Sequence, residues 1–136
     1  MERKTVSVAA AAIFRDGKVL LCRRGRGELK GLWEFPGGKK EKGETAKEAA
    51  VREIREELRL DITPGRILCS VKYDYPAFHL DMDVVCAEAA QGEPVMTEHE
   101  SVFWAGREDL ERIDFCPADR EIAGMLKALP DGEWRA

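Results

Sequence analysis

Apolar positions dominate two adjoining runs near the start of the chain, Val6 to Phe14 and Val19 to Cys22, with the polar pair Asp16-Gly17 between them. Asp-Gly between two such runs is a strong signal for a two-residue hairpin, so strands are expected over residues 5–15 and 18–23. The pattern then breaks. Glycines at positions 25, 27, 31, 37 and 38, with Pro36, predict a loop that contains Trp33-Glu34-Phe35 as a short extended piece. From Thr45 to Leu58 the period changes: Ala46, Ala50, Ile54 and Leu58 recur every four residues, as a helix packed on a core requires. Glu44 or Thr45 stands near its start, and Glu48, opposite the apolar stripe, is expected to face solvent inside it. Two β-rich runs follow, Arg66–Tyr75 and Phe78–Ala89, broken at Pro76-Ala77. In the second, His79, Asp81 and Asp83 alternate with Leu80, Met82 and Val84, which places one face on the core and the other in a polar environment. Ser101–Ala105 predicts a further strand after a turn at Glu98-His99-Glu100. Pro117 is placed to open a final helix to about Leu129, which Pro130-Asp131-Gly132 ends. Strands on both sides of a helix, with a second helix at the end, predict an α+β fold in which helices pack on a sheet.

The first helix carries more than a packing stripe. Glu53, Glu56 and Glu57 stand at i, i+3 and i+4, on one side and within reach of one another. The ordinary reading of a charged helix face is solvation, but a solvated face interleaves its signs, because like charges at i, i+4 cost about 0.2–0.5 kcal/mol. Glu56 has Arg52 and Arg59 at helical spacing. The i±3 and i±4 neighbours of Glu53 are Ala49, Ala50, Glu56 and Glu57, and those of Glu57 are Glu53, Ile54, Leu60 and Asp61, so neither is expected to have a local cation. Both fall at the edge of the apolar stripe. Unpaired charge there is costly, and a divalent cation compensates where only oxygen ligands are on offer.

Composition narrows the remaining classes. At 136 residues a single domain over 1–136 is expected, large enough to bury a core without disulfides or a structural metal. Any metal should therefore serve chemistry. The formal charge of −4 supplies no field to draw the protein to nucleic acid or an anionic membrane. A local cluster of Arg23, Arg24, Arg26, Lys30, Lys39 and Lys40 before the acidic helix could still hold an anionic ligand, or simply keep the surface soluble. Cys22, Cys69, Cys86 and Cys116 are scattered without a Cys-x-x-Cys pair, as expected of reduced, core-type thiols in a cytoplasmic protein. The Ala-rich run after Arg3-Lys4 resembles a short signal peptide, but its continuation into the Asp16-Gly17 turn makes a strand the better explanation. No stretch approaches the apolar length of a membrane span.

The residues from Gly38 to Leu60 match a known signature. The pattern Gly-x5-Glu-x7-Arg-Glu-U-x-Glu-Glu-x-Gly-U, with U a bulky aliphatic, is filled by Gly38, Glu44, Arg52, Glu53, Ile54, Glu56, Glu57 and Leu60, with Arg59 in place of the last Gly. The chain therefore resembles the Nudix hydrolases. Trp33-Glu34-Phe35-Pro36-Gly37-Gly38, Gln91-Gly92-Glu93-Pro94, Glu98-His99 and Cys116-Pro117-Ala118-Asp119 extend the resemblance across nearly the whole chain, toward the MutT-like and CTP-pyrophosphohydrolase-like branch.

That resemblance implies an α/β/α sandwich of mixed sheet flanked by helices, and Mg²⁺-dependent hydrolysis, with Mn²⁺ as a possible substitute. The substrates it implies are nucleoside triphosphates, modified or oxidised ones of the 8-oxo-dGTP or CTP/5-methyl-dCTP kind, cut to monophosphate and pyrophosphate. Glu53, Glu56 and Glu57 take the catalytic positions. Glu56, Glu57, Glu98 and the Gly37 carbonyl are the implied metal ligands, and Glu53 either binds a metal-held water or acts as general base. Arg52 is expected to orient Glu56 or Glu44 rather than touch substrate, since a bidentate Arg fixes a carboxylate's direction. Gly38, beside Gly37, lets backbone approach closely. Lys39 and Arg24 are candidates for phosphate, Tyr75 and Phe78 for stacking on a base, and Asp119 either for reading the base edge or for capping the last helix. Gly at position 59 would accept a left-handed helix end; Arg there costs roughly 1–2 kcal/mol, so the helix is expected to end differently or run slightly longer. The partner is a small-molecule nucleotide and the assembly a monomer or homodimer. Two other readings stand beside this one. One is a Nudix hydrolase for another diphosphate such as a nucleotide sugar, against which the compact chain argues. The other is a sensor that binds nucleotide without cleaving it, against which the complete set of acids argues.

Overall fold

The structure, a computed structural model, describes residues 3–136. Its first two strands, β1 (Lys4–Arg15) and β2 (Lys18–Arg24), turn at Asp16 and Gly17, both with positive φ, as a tight hairpin requires. They pair only at the turn, through Phe14 with Val19 and Arg15 with Lys18, and then part.

Into the gap goes the segment whose glycines predict a loop. It forms two short strands, β3 (Trp33–Glu34) on β2 and β4 (Gly37–Lys39) on β1, with the Ala11 N–H donating to the Pro36 carbonyl between them at 2.8 Å. Two- and three-residue strands are too short to carry a period of their own, so only their partners define them. The helix α1 spans Ala46–Leu58, and β5 (Thr63–Asp74) and β6 (Phe78–Glu88) follow as an antiparallel pair. Strand β6 runs parallel to β1, giving the mixed order β3-β2-β1-β6-β5 with β7 (His99–Ala105) on the other side of β2. Glu98-His99-Glu100 is thus not all turn, since His99 opens β7. The helix α2 spans Pro117–Ala128.

Two cores form, one on each face. Ala9, Ala11 and Ile13 of β1 pack with Ala49, Ala50, Ile54 and Leu58 of α1; Ala10, Ala12 and Phe14 pack with Ala118, Ile122 and Leu126 of α2. A strand buried on both faces cannot alternate apolar with polar, and this explains the unbroken Val-Ala-Ala-Ala-Ala-Ile-Phe run. The result is the helix-sheet-helix sandwich of an α+β fold. The four cysteines are free: Cys22 and Cys86 are buried in these cores, and Cys116 is also buried. No helix among the described residues is long and apolar enough to cross a membrane.

Both ends of α1 depart from expectation. Thr45 is the N-cap, and Glu48, exposed as expected but in the first turn and not the helix interior, closes a capping box: the Glu48 N–H donates to Thr45 Oγ1 at 3.1 Å and the Thr45 N–H to Glu48 Oε1 at 2.9 Å. At the other end Arg59 does adopt the left-handed conformation, with φ 52° and ψ 37°, and its N–H donates to the Arg55 carbonyl. The expected avoidance fails because the chain must turn at once to bury Leu60, 1% exposed, beneath the α1 face. We expect Arg59→Gly to relieve this strain and stabilise the protein by about 0.5–1 kcal/mol, net of the extra freedom Gly gives the unfolded chain. Urea titration checks it; a lower midpoint in the variant would contradict the strain.

Candidate functional site

The acids of α1 are organised around one arginine. Arg52 Nε and Nη2 donate to the two oxygens of Glu44 at 2.7 and 2.8 Å, and Nη2 also reaches the Lys39 carbonyl at 3.0 Å. These bonds hold Glu44 down to about 2 and Arg52 firmly charged. Arg52 Nη1 then donates to Glu53 Oε1 at 2.7 Å and Glu56 Oε2 at 3.2 Å. Glu53 therefore does have a local cation, contrary to the count of neighbours at helical spacing. A guanidinium folded back along the helix reaches its i+1 neighbour when Glu44 and Lys39 fix its plane.

Glu57 differs from both. Burial first, and then the carboxylates of Glu53, Glu34 and Glu98, push it up to about 8. Four acids thus surround a half-buried position reached from three elements: α1, β3 and the segment before β7. Among the described residues no three acidic, histidine or cysteine side chains close up into a ready-made coordination shell. Glu56 is turned to Arg52 and 59% exposed, and Glu98 lies 3.5 Å from Arg26 on the surface.

The glycines bring backbone to the same place. A Cβ on Gly37 would sit 2.1 Å from the Ala9 carbonyl of β1, and one on Gly38 would sit 2.2 Å from Glu53 Oε2. Only glycine lets β4 lie against β1 and leaves room for the Glu53 carboxylate.

Gly37, Glu57 and Glu98 lie along one cleft of about 570 Å³, which Arg24, Lys39, Tyr75, Phe78 and Asp119 also line. Glu53, Glu56, Gly38, Glu44 and Arg52 are not on its wall. Arg24 Nη1 donates to Glu34 Oε1 at 3.0 Å, so its charge is partly spent within the protein, whereas Lys39 is exposed at the rim. At the far end Asp119 is buried, and Oδ1 accepts the Phe35 N–H at 3.0 Å. It stands in the first turn of α2, but the helix has no side-chain cap, so capping is not what Asp119 does. Burial, and the Glu34 carboxylate after it, raise Asp119 to about 8 against the pull of the Phe35 N–H and Arg24. The Tyr75 hydroxyl accepts the Ala118 N–H at 3.2 Å, and the Tyr75 and Phe78 rings lie 5.2 Å apart on one wall.

A model of the NUDIX domain matches residues 3–125. The chain belongs to that family. It is 34% identical over 127 residues to the CTP pyrophosphohydrolase of Escherichia coli (strain K12), covering 93% of this chain and 94% of that one. It is 30% identical over 128 residues to the 8-oxo-dGTP diphosphatase of the same strain, covering 93% and 99%. Among solved structures, the MutT NUDIX hydrolase from Burkholderia pseudomallei superposes with a TM-score of 0.81 at 33% identity, over 93% of this chain and all of that one. The protein is a Nudix pyrophosphohydrolase of the MutT-like kind, and Nudix hydrolases are generally dependent on a divalent metal.

Sequence reasoning missed two residues of this Nudix cleft. Glu34 reaches Arg24 through Oε1 and His99 Nε2 through Oε2, each at 3.0 Å, and its charge acts on both Glu57 and Asp119. His99 is 7% exposed in its side chain, and its buried Nδ1 has no partner among the described residues. Their local sequences, Trp-Glu-Phe and Glu-His-Glu, have the alternation of ordinary edge strands, and it is β2, pairing Cys22 with Glu34 and Arg24 with His99, that joins them.

Proposed function

We propose that the protein hydrolyses (deoxy)nucleoside triphosphates, modified or oxidised ones of the 8-oxo-dGTP or CTP/5-methyl-dCTP kind, to nucleoside monophosphate and pyrophosphate with Mg²⁺. The observation that carries this reading is the single cleft that joins the acids around Glu57 to the buried Asp119. One end concentrates negative charge against backbone oxygen, as a hard cation requires; the other offers a buried polar group flanked by aromatic rings, as a base requires.

The residues fit Mg²⁺, since burial first, and then its carboxylate neighbours, keep Glu57 protonated until a cation offsets them. Glu57, Glu98 and the Gly37 carbonyl would hold it, with Glu53 and Glu56 from the same helix. When bound it neutralises phosphate oxygens and lowers the cost of deprotonating a water. Everything else falls to the chain. Glu53 takes the proton of the attacking water, with the Arg52 guanidinium at 2.7 Å holding its carboxylate in place. Lys39 at the rim, with Arg24 behind it, balances charge on the leaving pyrophosphate. Tyr75 and Phe78 flank the base, and Asp119 reads its edge.

Its substrates on this reading are small molecules, and its proposed location is the cytoplasm. The test is product analysis with purified protein, Mg²⁺ and a panel of CTP, 5-methyl-dCTP, 8-oxo-dGTP and dGTP. Pyrophosphate, and not orthophosphate, is expected from at least one, with EDTA abolishing release. No pyrophosphate from any of them, at any metal concentration, sinks the proposal.

A further inference from the structure

The end of α1 and the segment that delivers Glu98 are bonded to each other. A helix leaves its last carbonyls without partners inside the helix. Here the Arg59 N–H takes the Arg55 carbonyl, and one segment between β6 and β7 takes the next two that it can reach: the Val95 N–H donates to the Leu58 carbonyl at 2.8 Å, and Thr97 Oγ1 donates to the Glu57 carbonyl at 2.6 Å. The start of the same segment is strapped to β1, where Arg15 donates to the carbonyls of Ala89, Gln91 and Gly92 at 2.6, 3.1 and 2.7 Å.

Glu98 is thereby bracketed. Its predecessor is tied to the backbone of Glu57, and its successor opens β7, paired with Arg24 and bonded to Glu34. Among the described residues, the ion-pair partner of the Glu98 side chain is Arg26, 3.5 Å away, with the two side chains 55% and 79% exposed. Such a pair contributes little direction. Where the Glu98 carboxylate points is therefore decided by its backbone, and the nearest contact that relates that backbone to Glu57 is the Thr97 hydroxyl.

We infer that Thr97 is a positioning residue: its hydroxyl, anchored on the Glu57 carbonyl, sets the placement of the Glu98 carboxylate against that of Glu57, so that both meet one divalent cation. This rests on the proposal that those two acids share the metal. A hydrogen bond formed across the two ligand-bearing segments stabilises the arrangement in which the cation finds both ligands in place, and its loss appears as weaker metal binding rather than as a weaker fold.

The test is Mn²⁺ binding to the whole protein, followed by the electron paramagnetic resonance of free Mn²⁺, in wild type, Thr97→Val and Thr97→Ser. Thr97→Val is expected to weaken Mn²⁺ binding about 5–10-fold, the effect of one hydrogen bond, and Thr97→Ser less than about twofold. In turnover, Thr97→Val should raise the half-saturating Mg²⁺ by a similar factor and leave the nucleotide KM at saturating Mg²⁺ unchanged. Its melting temperature in EDTA should stay within about 2 °C of wild type, since the site is on the surface. Wild-type Mn²⁺ affinity in Thr97→Val overturns the inference alone, as does an equal loss in Thr97→Ser, which would put the effect in packing rather than the hydroxyl. Wild-type protein that binds no Mn²⁺ overturns the functional proposal and this inference with it.

Discussion

Glu57→Gln is expected to lower kcat by at least about 10³-fold, the equivalent of the several kcal/mol that charge stabilisation at a metal site supplies. It should also make the metal-free protein more stable than wild type above pH 8. The two effects have one origin. Burial and three neighbouring carboxylates raise the Glu57 carboxyl to about 8 in the folded chain, while in the unfolded chain it titrates near 4.5. Between those values the unfolded chain has released a proton that the folded chain still holds. The stability contribution is therefore complete below about 4.5, declines as pH rises and is lost above about 8. Gln has no proton to lose, so the variant keeps what wild type gives up, about 2–5 °C in melting temperature at pH 9 in EDTA. Mg²⁺ reverses the order, because the cation replaces the proton in wild type and has one carboxylate fewer to bind in the variant. Thermal unfolding at pH 6 and pH 9, with EDTA and with Mg²⁺, measures all four corners. A variant no more stable than wild type at pH 9 in EDTA would show that Glu57 does not hold the raised proton.

The parts of the fold that the sequence made legible are those where one segment carries its own instruction. Asp16-Gly17 needs nothing but positive φ to make a hairpin, and Ala46, Ala50, Ile54 and Leu58 need only a helix to form a stripe. The carboxylates at positions 53, 56 and 57 were legible for the same reason, since spacing alone puts them on one side. What stayed hidden depends on a second segment. Strands β3 and β4 exist because the hairpin opens and offers them two edges. Arg59 takes a left-handed conformation because Leu60 must be buried, a demand made by the sheet and not by the helix. Arg52 reaches Glu53 because Glu44 and Lys39, outside the helix, hold its guanidinium flat.

The same division explains the site. The acids of α1 share a helix, so a repeat in the sequence reveals them; Glu34, Glu98 and His99 come from two chain-distant segments that meet only through the pairing of β2 with β3 and β7. Glu34 is the residue whose omission changed most. Its charge adds to the rise of both Glu57 and Asp119, so the two ends of the cleft share one electrostatic neighbour.

At the base end, Asp119→Ala is expected to cost about 10²-fold in kcat/KM for the preferred nucleotide, and Asp119→Asn almost nothing at pH 7. An ionised Asp can only accept hydrogen bonds, which would make Asn a poor replacement. Inside this protein the carboxyl is raised to about 8, by burial first, so at pH 7 it is largely neutral, with one O–H to give and a carbonyl oxygen to accept. Asn offers the same pair of functions in the same shape, and its oxygen can keep the Phe35 N–H that Oδ1 now accepts at 3.0 Å. The two should separate as pH rises. Above about 8 wild type loses its donor and its KM for a base that needs one climbs, while Asp119→Asn holds steady through pH 9. Stability follows the same sign as at Glu57, intact below about 4 and lost as pH passes 8, so Asp119→Asn should also unfold at higher temperature than wild type at pH 9. Measuring kcat/KM for CTP, 5-methyl-dCTP, 8-oxo-dGTP and dGTP from pH 6.5 to 9 in the three proteins checks this. If Asp119→Ala keeps both the rates and their ratios across the four, Asp119 does not read the base. If Asp119→Asn repeats the wild-type pH profile, the proton that matters belongs to another group.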